Sequence, residues 1–205
     1  MKKLFFIFIG FTILFTQKTF AYVTSAESAE LVPENQLRFT FEPQVNSSNF
    51  NFNTHFDTGV AEDSQVRLSA GVGSGNYHLD FFYKKIPFPD YDTQPAIGFK
   101  LGAIFARENK TDVVTPVLCP ISSKNIMIDK NRLTPYIALP IGVSVYQGRS
   151  LTPVNFVAGF EFVPTSVENI QFGGEMGFNV RDSYSYVSGY VSFYFEPTEQ
   201  IIENN

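Results

Sequence analysis

Apolar and polar residues alternate along most of the chain between Gln36 and Phe195. This period of two is typical of β-strands whose two faces meet different surroundings. Nine segments show it, at residues 37–42, 49–57, 65–73, 77–81, 97–105, 136–146, 154–162, 170–179 and 186–195. A tenth strand is predicted from Asp112 to Ile121, because turn residues bracket it, although Pro116 and Pro120 remove ladder donors. The pattern predicts an all-β chain.

The spacing of these segments indicates a membrane barrel. From Gln36 to Phe195 there are 160 residues, or about 16 for each of ten strands, which leaves about ten residues per strand plus a short link. Strands of soluble sheets are usually about five or six residues long. We therefore predict an antiparallel, up-and-down transmembrane β-barrel of about ten strands, with eight strands as the alternative.

The polar face of these strands has the composition of an enclosed lumen. Many of its positions are glycine, which suits a crowded interior better than a water-exposed sheet. Its few charges carry both signs and are predicted to form a lumen charge network of Arg38, Arg67, Asp80, Lys100, Glu161 and Glu175. Five tyrosines on this face are expected to fill the lumen with ring area, a slot for an apolar ligand being the alternative: Tyr136, Tyr146, Tyr186, Tyr190 and Tyr194. The phenylalanine-rich face would then contact lipid.

The first 21 residues have the layout of a secretory signal peptide. Lys2 and Lys3 precede an apolar run from Leu4 to Phe15, and small Ala21 ends the segment. An uncleaved N-terminal anchor is the alternative, but the run is shorter than the roughly twenty residues of a spanning helix. Removal of the leader would take away three lysines and change the formal net charge from -5 to -8.

Composition excludes several classes of protein. With 44% hydrophobic and 16% aromatic residues, the chain is too apolar for intrinsic disorder. Its acidic balance excludes a nucleic-acid partner that binds through phosphate charge. The single cysteine, Cys119, excludes an intramolecular disulfide and a cysteine-built metal site. We expect no metal and no cofactor.

The last strand, from Tyr186 to Phe195, carries a terminal aromatic pattern. With the strand pattern, it makes the chain similar to the small bacterial outer-membrane β-barrels of the OmpA- and OmpW-like group. That resemblance implies an outer-membrane location in a Gram-negative bacterium after cleavage near Ala21, contact with outer-membrane lipid, and recognition by the barrel-assembly machinery through Gly189, Phe193 and Phe195. Gly189 lies one position further from the aromatic pair than usual, and residues 196–205 follow the signal.

The expected organisation is a signal peptide at 1–21, an N-terminal periplasmic segment at 22–35, the barrel at 36–195 and a C-terminal tail at 196–205. An even strand number places both termini in the periplasm. The links expected on the outer side are short, which argues against a receptor or adhesin. The oligomeric state is not predicted.

Three functions remain open at this point. The first is a non-enzymatic outer-membrane barrel, structural or a narrow, plugged channel. The second is a barrel-embedded lipid or peptide hydrolase that uses His55 with Asp57 or His78 with Asp80, because each pair shares a strand face; we expect these two pairs to lie far apart, His55 near the periplasmic rim and His78 near the outer rim. The third is a soluble, lipocalin-like periplasmic barrel that binds a ligand.

Overall fold

The computed structural model describes residues 25–46, 49–73, 76–108, 111–167 and 169–196. The predicted signal peptide lies outside the described residues, and so does the predicted tail after Glu196.

The described chain forms β-strands joined by turns and short links. The strands are β1 (Leu37–Asn46), β2 (Phe50–Ala61), β3 (Ser64–Gly73), β4 (Asn76–Phe88), β5 (Ala96–Glu108), β6 (Thr111–Ser123), β7 (Ile126–Ile128), β8 (Asn131–Ala138), β9 (Ile141–Gly142), β10 (Ser144–Tyr146), β11 (Arg149–Leu151), β12 (Val154–Val163), β13 (Ile170–Arg181) and β14 (Tyr186–Phe195).

These strands close into an antiparallel barrel. Neighbours in sequence pair from β1 through β6, and β1 also pairs with β14, which joins the ends of the sheet. Three strand positions complete the wall between β6 and β14. The first is made of β8, β9 and β10, which together pair with β6. The second is made of β11 and β12, and the third is β13. The wall thus has ten strand positions, and the predicted ten-stranded up-and-down barrel is confirmed, including its tenth strand, β6.

Prolines interrupt one part of this wall. The predicted strand at 136–146 is divided into β8, β9 and β10, because Pro140 cannot donate to the ladder. Carbonyl oxygens of prolines hold this part of the wall together: Pro120 accepts from the N–H of Leu139 at 3.0 Å, and Pro116 accepts from Val143 at 3.1 Å. Beyond β6, the short β7 pairs with β8 in the same register and extends the hairpin at the end of the barrel where β1 begins.

Most apolar side chains of the strands point outward and most polar side chains point inward, although a few apolar side chains, among them Phe82, Ile104 and Val117, pack inside the barrel. Leu79 and Phe81 are each 53% exposed, whereas Asp80 between them is 3% exposed. Leu68 and Val72 on β3 are 57% and 62% exposed, and Arg67 is 3% exposed. A barrel with its phenylalanines outside and its charges inside is built for a bilayer rather than for water. This arrangement disfavours the soluble, lipocalin-like alternative.

Three lumen tyrosines lie across the ladder from glycines. Gly173 faces Tyr190, Gly177 faces Tyr186 and Gly159 faces Tyr136 in the strand registers. A Cβ atom at Gly173 would lie 2.1 Å from the Tyr190 ring. The glycines therefore leave room for the rings that fill this side of the barrel.

From Ser25 to Val32, the N-terminal segment lies inside the barrel and not in the periplasm as predicted. Ser25, Glu27 and Ser28 are at most 1% exposed. The chain leaves through the end of the barrel at which β1 begins, past Gly59, where a Cβ atom would lie 2.5 Å from the carbonyl oxygen of Val32. It then turns into β1. The strand pattern could not predict this placement, because the segment follows no strand period.

A small polar clamp closes the same end of the barrel beside this segment. Lys124 donates to the Asp90 carboxylate, and the backbone N–H of Asn125 donates to the same group at 2.6 Å. The amide of Asn125 also donates to Glu30 at 2.8 Å. Desolvation opposes ionisation of Asp90, but these hydrogen bonds and the charge of Lys124 outweigh it and lower the pKa of the carboxyl group.

We expect Asp90→Asn to lower the stability of the barrel by less than about 1 kcal/mol at neutral pH, because the ion pair is partly exposed. The pKa of Asp90 is lower in the folded chain than in the unfolded chain. The clamp therefore contributes stability above the unfolded pKa of about 3.9 and loses it as the pH falls through the folded pKa.

The measurement is the midpoint of heat-induced gel-mobility change as a function of pH. The matched control is Asp92→Asn, since Asp92 is exposed on the same link. Equal midpoints for the wild type and Asp90→Asn at neutral pH would contradict the prediction.

Candidate functional site

The site is the lower lumen, where the segment from Ser25 to Val32 lies between two walls of opposite charge. One wall is cationic and comes from β1 to β5. The other is anionic and comes from β12 and β13, with tyrosines from β8 and β14. Because inward positions recur every second residue, each strand contributes its charge at a fixed height.

Glu27 lies at the centre of the cationic wall. One of its carboxylate oxygens is 3.1 Å from Arg38 Nη2, 3.4 Å from Arg67 Nη2 and 2.8 Å from Lys84 Nζ. The other oxygen is 3.2 Å from Lys100 Nζ. These four cations come from four different strands, and each is at most 3% exposed. A single carboxylate thus joins β1, β3, β4 and β5.

Asp57 on β2 supports the same cations from the wall itself. Its carboxylate accepts from Arg38 Nε at 3.0 Å and from Arg67 Nε at 2.7 Å. Gln65 donates both to Asp57 at 3.3 Å and to Glu27 at 2.9 Å. This bonding fixes the guanidinium groups in position, since a buried charge needs paired hydrogen bonds.

The anionic wall binds the backbone of the segment. Glu175 accepts from the N–H groups of Ser25 at 3.1 Å and Ala26 at 2.8 Å. Glu161 accepts from the N–H of Ser28 at 2.9 Å and from its hydroxyl at 2.5 Å. Ala26 has a φ of 45°, in the left-handed region, and this turn lets two successive N–H groups reach one carboxylate.

The carbonyl groups of the segment face the cations. Lys84 Nζ donates to the carbonyl oxygens of Ser28 at 3.1 Å and Glu30 at 2.6 Å. Lys100 Nζ donates to the carbonyl oxygen of Ser25 at 2.9 Å, and Arg67 Nη1 donates to it at 3.0 Å. The lumen therefore contacts the segment through N–H groups on one side and carbonyl groups on the other.

Charges balance in the lower lumen when the segment is in place. Among the described residues, the buried charged groups there are four cations and four carboxylates: Arg38, Arg67, Lys84 and Lys100 with Glu27, Asp57, Glu161 and Glu175. Without Glu27, one cation would lack a counter-charge in a water-poor space, which is energetically costly. The segment therefore fills the lower lumen and also supplies, through Glu27, the negative charge that balances the fourth cation.

A second polar group lies deeper in the lumen, further from the end of the barrel at which β1 begins. His55 Nε2 is 2.9 Å from Glu42 Oε2, and His55 Nδ1 is 2.8 Å from Ser69 Oγ. Asn53 also donates to Glu42 at 2.9 Å. With the proton on Nε2, His55 donates to Glu42 and accepts from Ser69, which is the order of a serine, histidine and carboxylate triad.

The structure places the two predicted histidine pairs differently. Asp57 does not pair with His55; it binds Arg38 and Arg67 instead. His78 Nε2 does lie 3.6 Å from Asp80 Oδ2. The expected separation of the pairs is wrong, since His55 and Asp80 both lie across the ladder from Ser69. His55 is in the middle of β2 and not at the periplasmic rim.

The predicted lumen residues divide between these groups. Arg38, Arg67 and Lys100 contact Glu27, and Glu161 and Glu175 bind the segment backbone. Asp80 lies apart, beside His78. The hydroxyl groups of Tyr136 and Tyr186 donate to Glu175, Tyr136 OH is 3.2 Å from Tyr190 OH, and Tyr194 donates to Gln171. Tyr146 is half-buried at the end of β10, while Gly189, Phe193 and Phe195 lie on the outer face of β14.

Lys84 and Glu27 are the principal lumen charges that the sequence pattern missed. The sequence pattern predicts this strand only as far as Phe81, whereas β4 continues to Phe88. Lys84 lies four residues after Asp80, so both side chains point into the lumen. Continuing the period would have found Lys84. Glu27 is one of several acidic residues in a segment without a strand pattern, so local sequence carried no signal for it.

The described part of the chain contains neither a metal-binding group of side chains nor a membrane-spanning helix. Among the described residues, no group of three or more histidine, cysteine, aspartate or glutamate side chains could hold a metal ion. In the same part of the chain, no helix is long and apolar enough to cross a membrane.

No protein-family model matches the chain, and no curated protein matches it. Solved structures with a similar fold include a bacterial polysaccharide outer membrane secretin, at 11% identity and a TM-score of 0.48, with 80% of this chain and 67% of that chain covered. Another is the outer membrane protein Omp33 of Acinetobacter baumannii, at 7% identity, TM-score 0.42 and coverage of 79% and 99%. A third is an outer membrane channel from Pseudomonas putida F1, at 10% identity, TM-score 0.42 and coverage of 85% and 100%.

The expected resemblance to small bacterial outer-membrane barrels is confirmed by this chain's own strand pairing, which closes ten strand positions into one antiparallel barrel. The chain is a transmembrane β-barrel of the outer-membrane type, as its closed wall and outward apolar face require. The function has to be inferred from the lumen residues of this chain, because such low identities show the fold alone.

Proposed function

We propose that the protein is a non-enzymatic outer-membrane barrel whose narrow lumen is plugged by its own N-terminal segment. The observation that carries this proposal is the position of Glu27 among four buried cations from four strands. A barrel of about ten strands has an interior only slightly wider than side chains can fill. One polypeptide segment with matched hydrogen bonds is enough to close it.

The plug is built for a defined position rather than for loose filling. Its backbone is bound on both sides, and Val32 donates to Gln65 at 2.8 Å where the segment approaches the periplasmic end. Its contacts are largely polar, and water and ions could replace them if the segment moved out. We therefore propose a channel that is closed at rest and that opens towards the periplasm when the segment leaves.

The test is single-channel conductance in planar bilayers. We expect the wild type to give no large, steady openings and a variant that lacks residues 25–32 to give them. Heat-modifiable gel mobility verifies that the variant forms a barrel. Steady, large openings of the wild type, or a folded deletion variant that remains closed, would contradict the proposal.

A second candidate function, a barrel-embedded hydrolase, is favoured by the arrangement of Ser69, His55 and Glu42. This group has the hydrogen-bond order needed to activate a serine hydroxyl. It ranks second because Ser69 is 3% exposed and His55 1% exposed in the closed lumen. A fluorophosphonate probe distinguishes the two candidates: labelling of the wild type or the deletion variant that Ser69→Ala abolishes would support the hydrolase. If neither folded protein is labelled, the group is structural.

A further inference from the structure

We infer that the lower lumen is a peptide-binding site with a preference for short acidic peptides of small residues, and that the segment from Ser25 to Val32 is its internal ligand. This inference rests on the proposed function, since an incoming peptide needs the space that the plug occupies. It goes further by naming the chemical class that the lumen recognises.

The first argument is that the lumen binds a peptide backbone as such. The backbone N–H groups of Ser25, Ala26 and Ser28 donate to two wall carboxylates. The carbonyl groups of Ser25, Ser28 and Glu30 accept from wall cations. A simple anion could satisfy the cations but would leave Glu161 and Glu175 without these donors. A peptide satisfies both walls at once.

The second argument concerns the acidic residue. The Glu27 carboxylate accepts hydrogen bonds from Arg38, Lys84 and Gln65, all of them buried. An uncharged side chain at this position would leave four buried cations facing three carboxylates, so one positive charge would be uncompensated. A peptide therefore needs an acidic residue here, and removal of that charge should weaken binding strongly.

The third argument concerns size. The residues on either side of Glu27 are serine and alanine, and Ser25, Ala26, Ser28 and Ala29 are each at most 2% exposed. The N–H of Ala29 donates to Ser123 Oγ at 3.2 Å, which holds the backbone close to the wall. Large side chains at the alanine positions would collide with packed wall atoms. The site therefore selects small residues around the acidic one.

The experiment uses the variant without residues 25–32 and an acetylated, amidated synthetic peptide with the sequence of those residues. A second peptide carries Glu27→Gln, and a third carries leucine at both alanine positions. Free glutamate is the probe for a simple anion. Binding is measured by calorimetry on the folded variant and, independently, by block of its conductance.

We expect the first peptide to bind and block, and the glutamine and leucine peptides to bind at least about tenfold more weakly. Equal binding of the acidic and glutamine peptides, or binding of glutamate as strong as that of the peptide, would overturn the inference. So would an open variant that binds no peptide, although its conductance would still support the plugged channel. A variant that binds the peptide without ever conducting would support this site and contradict the channel.

If the deletion prevents folding, full-length Glu27→Lys is used with the same peptides. Its internal segment carries the wrong charge for the cationic wall and competes poorly. Acidic-peptide binding at least about tenfold stronger than in the wild type is then expected, and equal binding by both proteins would overturn the inference.

Discussion

Replacing Glu27 with lysine is expected to open the lumen and to lower the thermal stability of the barrel. The substitution places a fifth cation among Arg38, Arg67, Lys84 and Lys100, all of which lie within 3.4 Å of the present carboxylate. Breaking a buried charge pair and leaving its partners uncompensated costs about 3–5 kcal/mol. The segment can avoid part of this cost by leaving the lumen, which opens the channel.

The measurements are single-channel conductance and the midpoint of heat-induced gel-mobility change. Glu34→Lys is the matched control, because Glu34 lies just after the segment from Ser25 to Val32, the substitution makes the same change of charge, and Glu34 is exposed at the barrel end. We expect the control to remain closed and as stable as the wild type. If Glu27→Lys also remains closed with an unchanged midpoint, Glu27 does not hold the plug.

Replacing Ser25 with cysteine is expected to give a plug that can be locked by oxidation. Lys100 Nζ donates to the Ser25 hydroxyl at 3.1 Å, and Lys100 lies across the ladder from the buried Cys119 on β6, so the Ser25 side chain lies close to the Cys119 thiol. Cys119 is a free cysteine in the wild type, and a thiol at position 25 would give it a disulfide partner. The resulting disulfide would tie the segment to the wall.

The lock is tested in a chain that also carries Glu27→Lys. We expect the oxidised double variant to be closed and its reduced form to conduct, with the change reversed on reoxidation. Adding Cys119→Ser removes the disulfide partner and should make conductance independent of reductant. Reductant-dependent closure in that triple variant, or free thiols at both positions after oxidation, would show that Ser25 does not lie beside Cys119.

Much of the wall could be predicted from sequence because membrane strands impose one strict rule. Leu79 and Phe81 must face lipid if Asp80 faces the lumen, so the period of two assigns both faces at once. Bracketing turn residues, rather than this rule, predicted β6 in spite of Pro116 and Pro120, whose carbonyl groups still accept hydrogen bonds. The rule could not show that Pro140 divides the following strand.

The site was predicted less completely, because its defining partner is not on a strand. The pattern identified Arg38, Arg67 and Lys100 as inward charges, but it paired them with carboxylates of the wall. Their central partner is Glu27, which reaches them through a fold of the chain back into the barrel. Contacts of this kind depend on long-range complementarity, and no local period reports them.

The central claim is that the segment from Ser25 to Val32 lies inside the folded barrel. It is tested most directly by cysteine labelling with a membrane-impermeant maleimide, in a Cys119→Ser background reconstituted in liposomes with the reagent supplied on both sides of the bilayer. Ser28→Cys is nearly isosteric and buried, whereas Glu34→Cys is exposed at the barrel end. We predict rapid labelling of Glu34→Cys and labelling of Ser28→Cys only after heat unfolds the barrel. Equally rapid labelling of both in the folded state would contradict the account.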